Sequence, residues 1–168
     1  MVGKRVFAVA GLSSFHQLNS WKKGALRQTE TLRRTMNPPP HLIFIVADDL
    51  GTFDVPFTGS GSEIITPALS QLADRGLVLD HYYVQPLCTP TRAALLTGRH
   101  PVQVGLQHGV IRDAVPDALP VNETTLPKLL SAAGYRTVAL GKWHLGFMQP
   151  QYTPERRGFD TVIGYYTG

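Results

Sequence analysis

The sequence has a single cysteine, Cys88, among its 168 residues. One cysteine cannot form an internal disulfide, so cysteine usage does not decide between a reducing and an oxidising compartment. No apolar run approaches the roughly 20 residues that a membrane-spanning helix needs, and we expect no membrane span. With 43% hydrophobic and 17% charged residues, the composition is typical of a globular domain.

Acidic residues are nearly missing from the first 40 positions. Of the 12 Asp and Glu residues only Glu30 lies there, whereas seven of the 16 Lys and Arg residues do. This segment therefore carries a charge of +6 and the rest of the chain −2, which together give the net charge of +4. The basic balance belongs to the N-terminal tail, so it predicts no nucleic-acid binding by the folded part.

Residues 1–37 are predicted to be a leader or a disordered basic tail, and residues 38–168 a domain. The run 37-NPPP-40 is a stiff boundary between them. Lys4-Arg5 and the short apolar run 6–12 have the order of a secretory signal, but Gly11 weakens that run, and the sequence leaves cleavage open. Asn122, in Asn-Glu-Thr, is a possible N-glycosylation acceptor if the chain is secreted.

Three segments share one pattern that predicts helices. Each opens with Thr as a candidate N-cap, has Pro in the first turn, where its missing N–H does no harm, and closes on Gly. They are 66–76, 89–98 and 125–134.

Strands are predicted between these helices. The run 41-HLIFIVADDLG-51 is β-branched and apolar without alternation, which is typical of a parallel strand buried on both faces. Further strands are predicted over 77–84 and 136–141. The alternation of strands and helices favours an α/β fold with a mostly parallel sheet flanked by helices, in which ligands bind at the carboxyl ends of the strands.

Cys88 stands where the second helix begins. A lone cysteine is often a small buried hydrophobe, yet a helix N-terminus also favours an anion. Arg92, in the first turn, opposes the helix dipole, and oxyanion binding would explain its presence. A cysteine phosphatase would have arginine six residues after the cysteine, where this chain has Ala94, so that reading fails on spacing.

Two further clusters carry possible chemistry. Asp48 and Asp49 end the first predicted strand and form either an acidic turn or part of a site for a hard divalent cation. Lys142 and His144 alternate with Trp143, so in an extended segment both would point the same way, as an oxyanion ester requires. A solvated lysine and a satisfied histidine are the alternative. Four other histidines are interpreted as structural: His41, His81, His100 and His108.

These three clusters occur in one order that resembles the sulfatase family. The stretch 88-CTPTR-92 matches the sulfatase signature Cys/Ser-x-Pro-x-Arg, and 95-LLTGR-99 extends it. The stretches 46-VADDLG-51 and 141-GKWHLG-146 match the other two N-terminal sulfatase motifs.

The resemblance covers about residues 38–168. Residues 82–108 and 157-RGFDTVIGY-165 look most like the arylsulfatase B branch. The fold implied is that of the alkaline-phosphatase-like superfamily, here the N-terminal part of the catalytic domain. In this family a modifying enzyme of the endoplasmic reticulum oxidises the cysteine to formylglycine. One oxygen of the hydrated aldehyde attacks sulfur and expels the alcohol, and the other hydroxyl then releases sulfate.

The resemblance also implies the site residues. Asp48, Asp49 and the modified Cys88 would bind one calcium ion, and Arg92 would hold the formylglycine hydrate. Lys142 would contact the sulfate, while His144 would orient a hydrate oxygen or assist its deprotonation. The implied activity is hydrolysis of sulfate esters on small molecules or glycans, glycosaminoglycans included, in the lysosome or outside the cell.

Several family features have no counterpart among the 168 residues. A later Asp-Asn pair and a second histidine and lysine are missing, so we expect an incomplete domain that is nearly inactive alone. The alternative is a short product without catalysis that acts by binding. A third reading, hydrolysis of phosphodiesters or phosphonates within the same superfamily, is disfavoured by the sequence around Cys88.

Overall fold

The computed structural model describes residues 39–58, 63–79 and 81–168. The predicted leader over 1–37 lies outside these residues. The described chain divides into two compact units, one containing residues 83–168 and the other the described residues up to Tyr82. Among the described helices, none is long and apolar enough to cross a membrane.

The unit that precedes Tyr83 contains one described α-helix, α1 (Pro67–Arg75), and two 3₁₀ turns, Thr52–Asp54 and Pro56–Thr58. The predicted helix over 66–76 is therefore confirmed. Gly76 ends α1 with an extended backbone rather than the left-handed one that we expected.

The predicted strand over 41–51 is wrong for residues 41–47, which form no strand. Its apolar side chains are exposed, with Ile43 at 72% and Ile45 at 59%. The strand predicted over 77–84 is wrong too, since the described residues 77–79 and 81–84 form none. The apolar sequence identifies strand-prone residues, but a strand buried on both faces also needs neighbours. In the described residues the sheet has two strands, and neither segment belongs to it.

The unit of residues 83–168 holds that sheet. Helices α2 (Cys88–Thr97) and α3 (Leu126–Ala132) precede strand β1 (Val138–Lys142), and β2 (Thr161–Tyr165) closes the pair. The strands are parallel, with Val138 opposite Thr161 and Lys142 opposite Tyr165. Three 3₁₀ turns complete this unit: Pro101–Val104, Pro150–Tyr152 and Pro154–Arg157. The other two predicted helices and the strand over 136–141 are thus confirmed, although the strand begins two residues later than predicted and ends one residue later.

The threonines do not cap these helices with their side chains. The N-cap of α2 is Leu87, so Thr89 lies inside the helix and its hydroxyl donates to the carbonyl of His144. Thr125 is the N-cap of α3, but its hydroxyl donates to the carbonyl of Arg157. Both hydroxyls are fully buried, and each donates to a distant carbonyl instead of accepting from a backbone N–H of its own helix.

The core of this unit lies beneath α2 and the segment after β1. It consists of Ala93, Val104, Leu119, Trp143 and Leu145, with Leu96, Leu106 and Phe159 packed against it. The Trp143 ring meets Phe159 edge to face at 6.4 Å between centroids. Its indole N–H donates to the carbonyls of Gly146 and Tyr152, so this large side chain is buried without leaving its polar atom unsatisfied.

Two glycines face each other across the strand pair. Gly141 of β1 lies opposite Gly164 of β2, and Gly141 has a φ of +99°. A Cβ at Gly164 would collide with the carbonyl oxygen of Gly141. The strands therefore come together at a point that admits no side chain on β2.

A buried guanidinium fixes the last 3₁₀ turn. Arg157 is 1% exposed and donates to the carbonyls of Pro120 and Glu123 at 2.9 and 3.1 Å. The carboxylate of Glu123 is bound in turn by Arg99 at 2.8 Å. Burial lowers the pKa of Arg157, and the nearby Glu123 charge opposes that shift. Arg157 thus ties the turn before α3 to the turn before β2.

Replacing Arg157 should destabilise this unit strongly. In Arg157→Gln the two carbonyls lose their donor, so we expect the free energy of unfolding to fall by about 2–4 kcal/mol in urea titrations. Arg156→Gln is the matched control, since Arg156 is exposed and its loss should change stability by less than about 0.5 kcal/mol. Equal effects of the two substitutions would show that the Arg157 contacts contribute nothing specific.

Candidate active site around Cys88

Cys88 is the first residue of α2. Leu87 precedes it with an extended backbone, and the N–H of Thr91 closes the first turn on the Leu87 carbonyl at 3.2 Å. Pro90 lies in the same turn and is buried. The side chain of Cys88 is half-buried and forms no disulfide. The predicted place of Cys88 at a helix N-terminus is therefore confirmed, although the residue lies within the first turn and not before it.

Lys142 brings a positive charge to this cysteine. Its Nζ lies 3.2 Å from the Sγ of Cys88. Lys142 is the last residue of β1, and its backbone carbonyl accepts a hydrogen bond from the Arg92 guanidinium of α2. The Lys142–His144 cluster therefore meets the Cys88–Arg92 cluster, because the end of β1 lies against the first turn of α2.

His144 lies two residues beyond the end of β1. It is 7% exposed and has a φ of +58°, so the segment does not continue as the extended strand that the sequence suggested. Its Nε2 lies 3.0 Å from the carbonyl oxygen of Ile111. A Cβ at Gly168 would collide with the His144 ring and would lie 3.0 Å from the Nζ of Lys142. The two side chains therefore border the same space, despite the turn between them.

The surroundings of the His144 ring lower its pKa and favour its neutral form. Burial lowers its pKa most, and the Lys142 and Arg92 charges lower it further. The Ile111 carbonyl and the Asp113 carboxylate oppose this shift. Its Nδ1 is buried and has no hydrogen-bond partner among the described residues. The site thus holds an imidazole that can accept a proton, beside an ammonium group.

Two residues of this site were missed by the sequence reasoning. Thr89 donates its hydroxyl to the His144 carbonyl at 2.8 Å and accepts the Ile111 N–H at 3.1 Å. Thr89 was interpreted as a cap, and Ile111 lies in an irregular segment without a motif. No local pattern in the sequence marks either contact.

Asp48 and Asp49 lie in the unit that precedes Tyr83. Both are exposed and form a turn in which Asp49 has a φ of +59°. Aspartate tolerates this left-handed conformation better than most residues. Adjacent exposed carboxylates are hard oxygen donors, so this pair fits part of a calcium shell but cannot fill its six to eight positions.

Comparison with known proteins identifies one family. The sulfatase family model matches residues 40–168. Mus musculus arylsulfatase J is 50% identical over 129 residues, which make up 77% of this chain and 21% of that protein. Bos taurus arylsulfatase A is 46% identical over 128 residues, or 75% of this chain and 25% of that protein. The chain belongs to the sulfatase family.

Solved structures agree with this assignment. The PsFucS1 sulfatase from Pseudoalteromonas sp. matches 86% of this chain with a TM-score of 0.69 and 35% identity, using 29% of its own chain. The expected α/β fold, that of the alkaline-phosphatase-like sulfatases, is confirmed. The chain spans about a quarter of the length of the curated relatives it matches. The nearer likeness to arylsulfatase B stays a prediction.

The buried imidazole should make stability depend on pH. Because the folded pKa of His144 lies below its ordinary value of 6.5, the unfolded chain takes up this proton more readily. The contribution of His144 is complete above pH 6.5 and should be lost as the pH falls through the folded pKa. Urea titrations between about pH 8 and 5 should show a smaller decline for His144→Gln than for the unchanged chain.

The control for this measurement is His108→Gln, since His108 is exposed. It should follow the unchanged chain over the whole pH range. A pH profile of His144→Gln that coincides with that of the unchanged chain would contradict the burial of a neutral ring.

Proposed function

We propose that this chain carries the nucleophile side of a sulfuric ester hydrolase, in which Cys88 is converted to formylglycine. The observation that carries the proposal is the contact of 3.2 Å between Cys88 Sγ and Lys142 Nζ at the start of α2, within the Cys-x-Pro-x-Arg segment. The hydrated aldehyde supplies two hydroxyl oxygens on one carbon, one for attack on sulfur and one for release of sulfate.

The side chains around position 88 have complementary roles in this proposal. Lys142 faces the reacting atom and would bind a sulfate oxygen, offsetting the negative charge of the transition state. His144 offers a bare Nδ1 that would orient a hydroxyl of the hydrate or accept its proton. Arg92 donates to the Lys142 carbonyl, and its guanidinium would hold the hydrate.

Asp48, Asp49 and the modified residue 88 are proposed as ligands of one calcium ion. The exposed carboxylate pair supports this role, because oxygen donors suit a hard cation. A bound calcium ion would polarise the sulfate oxygens and favour ionisation of a nearby hydroxyl.

The proposal extends to the substrate class and the compartment. The substrate would be a sulfated small molecule or a sulfated glycan, with glycosaminoglycan sugars as candidates. The formylglycine-generating enzyme would be a partner, which places the chain in the secretory pathway and then in the lysosome or outside the cell. Asn122 lies in an exposed turn, where its side-chain amide is open to glycosylation.

Cys88 should become formylglycine when the chain is directed into the endoplasmic reticulum of cells that contain the modifying enzyme. Peptide mass spectrometry should find an aldehyde in place of the thiol at position 88. Pro90→Ala should reduce this conversion at least severalfold, because it alters the Cys-x-Pro-x-Arg segment. Pro86→Ala is the matched control, as it removes an exposed proline outside that segment.

A glycan on Asn122 shows independently that the molecules analysed have entered the lumen. Chains that carry this glycan and still have an unmodified thiol at position 88 would overturn the formylglycine proposal. Conversion without hydrolysis of a chromogenic aryl sulfate is the expected result for the 168-residue chain, since it spans about a quarter of its relatives.

Calcium should bind weakly to the 168-residue chain. Two carboxylates provide only part of the shell, so calorimetry should give a dissociation constant of about 10⁻⁴–10⁻³ M. Asp48→Asn should abolish the heat of binding. Asp74→Asn, which changes an exposed carboxylate on α1, should leave it unaltered. Micromolar affinity, or equal binding by the Asp48→Asn variant, would contradict this ligand set.

A further inference from the structure

We propose that Thr89 is a positioning residue that fixes the tautomer and the orientation of the His144 ring, a role that rests on the proposed function of His144. Thr89 is the variable residue directly after Cys88 in the Cys-x-Pro-x-Arg segment, and its hydroxyl bonds to the backbone of His144 and of Ile111. Its effect would pass through Ile111 and the backbone of His144.

The Thr89 hydroxyl connects two segments that are distant in sequence. It is 0% exposed, donates to the His144 carbonyl at 2.8 Å and accepts the Ile111 N–H at 3.1 Å. A hydroxyl has one hydrogen, so donating to the carbonyl leaves only its lone pairs for the N–H. The hydroxyl therefore acts once as donor and once as acceptor, and the hydroxyl, the His144 carbonyl and the Ile111 N–H are all satisfied.

A third hydrogen bond, between Ile111 and His144, determines the tautomer of the imidazole. The Nε2 of His144 lies 3.0 Å from the carbonyl oxygen of Ile111. A carbonyl oxygen can only accept, so Nε2 must carry the proton, and in the neutral ring Nδ1 then has the lone pair. Thr89, Ile111 and His144 thus form a closed ring of three hydrogen bonds, named here the Thr89 ring.

The backbone of His144 needs this support. Its φ of +58° is uncommon for a residue other than glycine and persists only where the surroundings hold it. The His144 N–H donates to the Tyr166 carbonyl at 2.9 Å, and the Thr89 hydroxyl binds the carbonyl on the other side. Without that hydroxyl, the His144 carbonyl and the Ile111 N–H would both be buried without their partner.

The Nδ1 atom is the part of the ring left for chemistry. It is buried, has no partner in the part of the chain that the structure describes, and borders the space shared with Lys142. A histidine with the opposite tautomer would present an N–H there and could not accept a proton. The Thr89 ring therefore decides whether His144 acts as an acceptor or as a donor.

Nitrogen NMR of the histidine-labelled 168-residue chain at about pH 8 tests this directly. The His144 signals, assigned by their loss in His144→Gln, should show the proton on Nε2 alone. Finding the proton on Nδ1 in the unchanged chain overturns the proposal. This measurement needs no turnover and no modification of Cys88, so its failure is distinct from a failure of the proposed function.

Three variants separate positioning from general stability. Thr89→Val keeps the shape and removes the hydroxyl, so both tautomers should appear and the Nε2 proton should exchange with solvent at least about tenfold faster. Thr89→Ser keeps the hydroxyl and should restore the single tautomer. Thr97→Val is the control on the same helix, because that hydroxyl donates to the Ala93 carbonyl and accepts from the nearby Arg99 N–H, and its loss should not affect His144.

An unchanged Nε2–H tautomer and exchange rate in a folded Thr89→Val chain would overturn the role of Thr89. If Thr89→Val does not fold, Thr89→Ser decides, since a mixture of tautomers in that variant would show that the hydroxyl does not set the ring. Circular dichroism of each variant establishes which comparison applies.

Discussion

The structure of this site depends on how the first turn of α2 holds the chain beyond β1. Arg92 and Thr89 are three residues apart on the helix and therefore lie on one face. They bind the carbonyls of Lys142, the last residue of β1, and of His144, two residues further on, where the backbone has a positive φ. These two hydrogen bonds bring Lys142 to Cys88 and the His144 ring to the same space.

Several polar groups inside this unit bond to one another across distant segments. The Arg157 guanidinium meets backbone carbonyls, Thr125 binds back to the Arg157 carbonyl, and Glu123 is paired with Arg99. A buried charge is costly unless it is hydrogen-bonded, so these contacts hold connecting segments that have few apolar side chains. These bonds join irregular segments of this unit, while the apolar core lies beneath α2.

The sequence predicts the local features and misses the tertiary ones. The helices follow from Pro in the first turn and Gly at the end, signals that operate within one segment. The apolar run over 41–47 is equally strong but forms no strand, since burial of a strand is decided by partners rather than by its own residues. At the site, Cys88, Arg92, Lys142 and His144 were found from motifs. Thr89 and Ile111 were not, because hydrogen bonds between residues distant in the chain produce no repeating pattern in the sequence.

The facing glycines of β1 and β2 have a consequence for inherited variation. Gly164 lies about 20 residues from Lys142 in the chain, and yet any side chain there would separate the strand that carries Lys142 from its neighbour. A missense change at this codon would therefore lower the yield of folded protein during biosynthesis, when cellular quality control removes chains that fold poorly. Its phenotype would be a shortage of protein in the cell and not an altered preference for substrate.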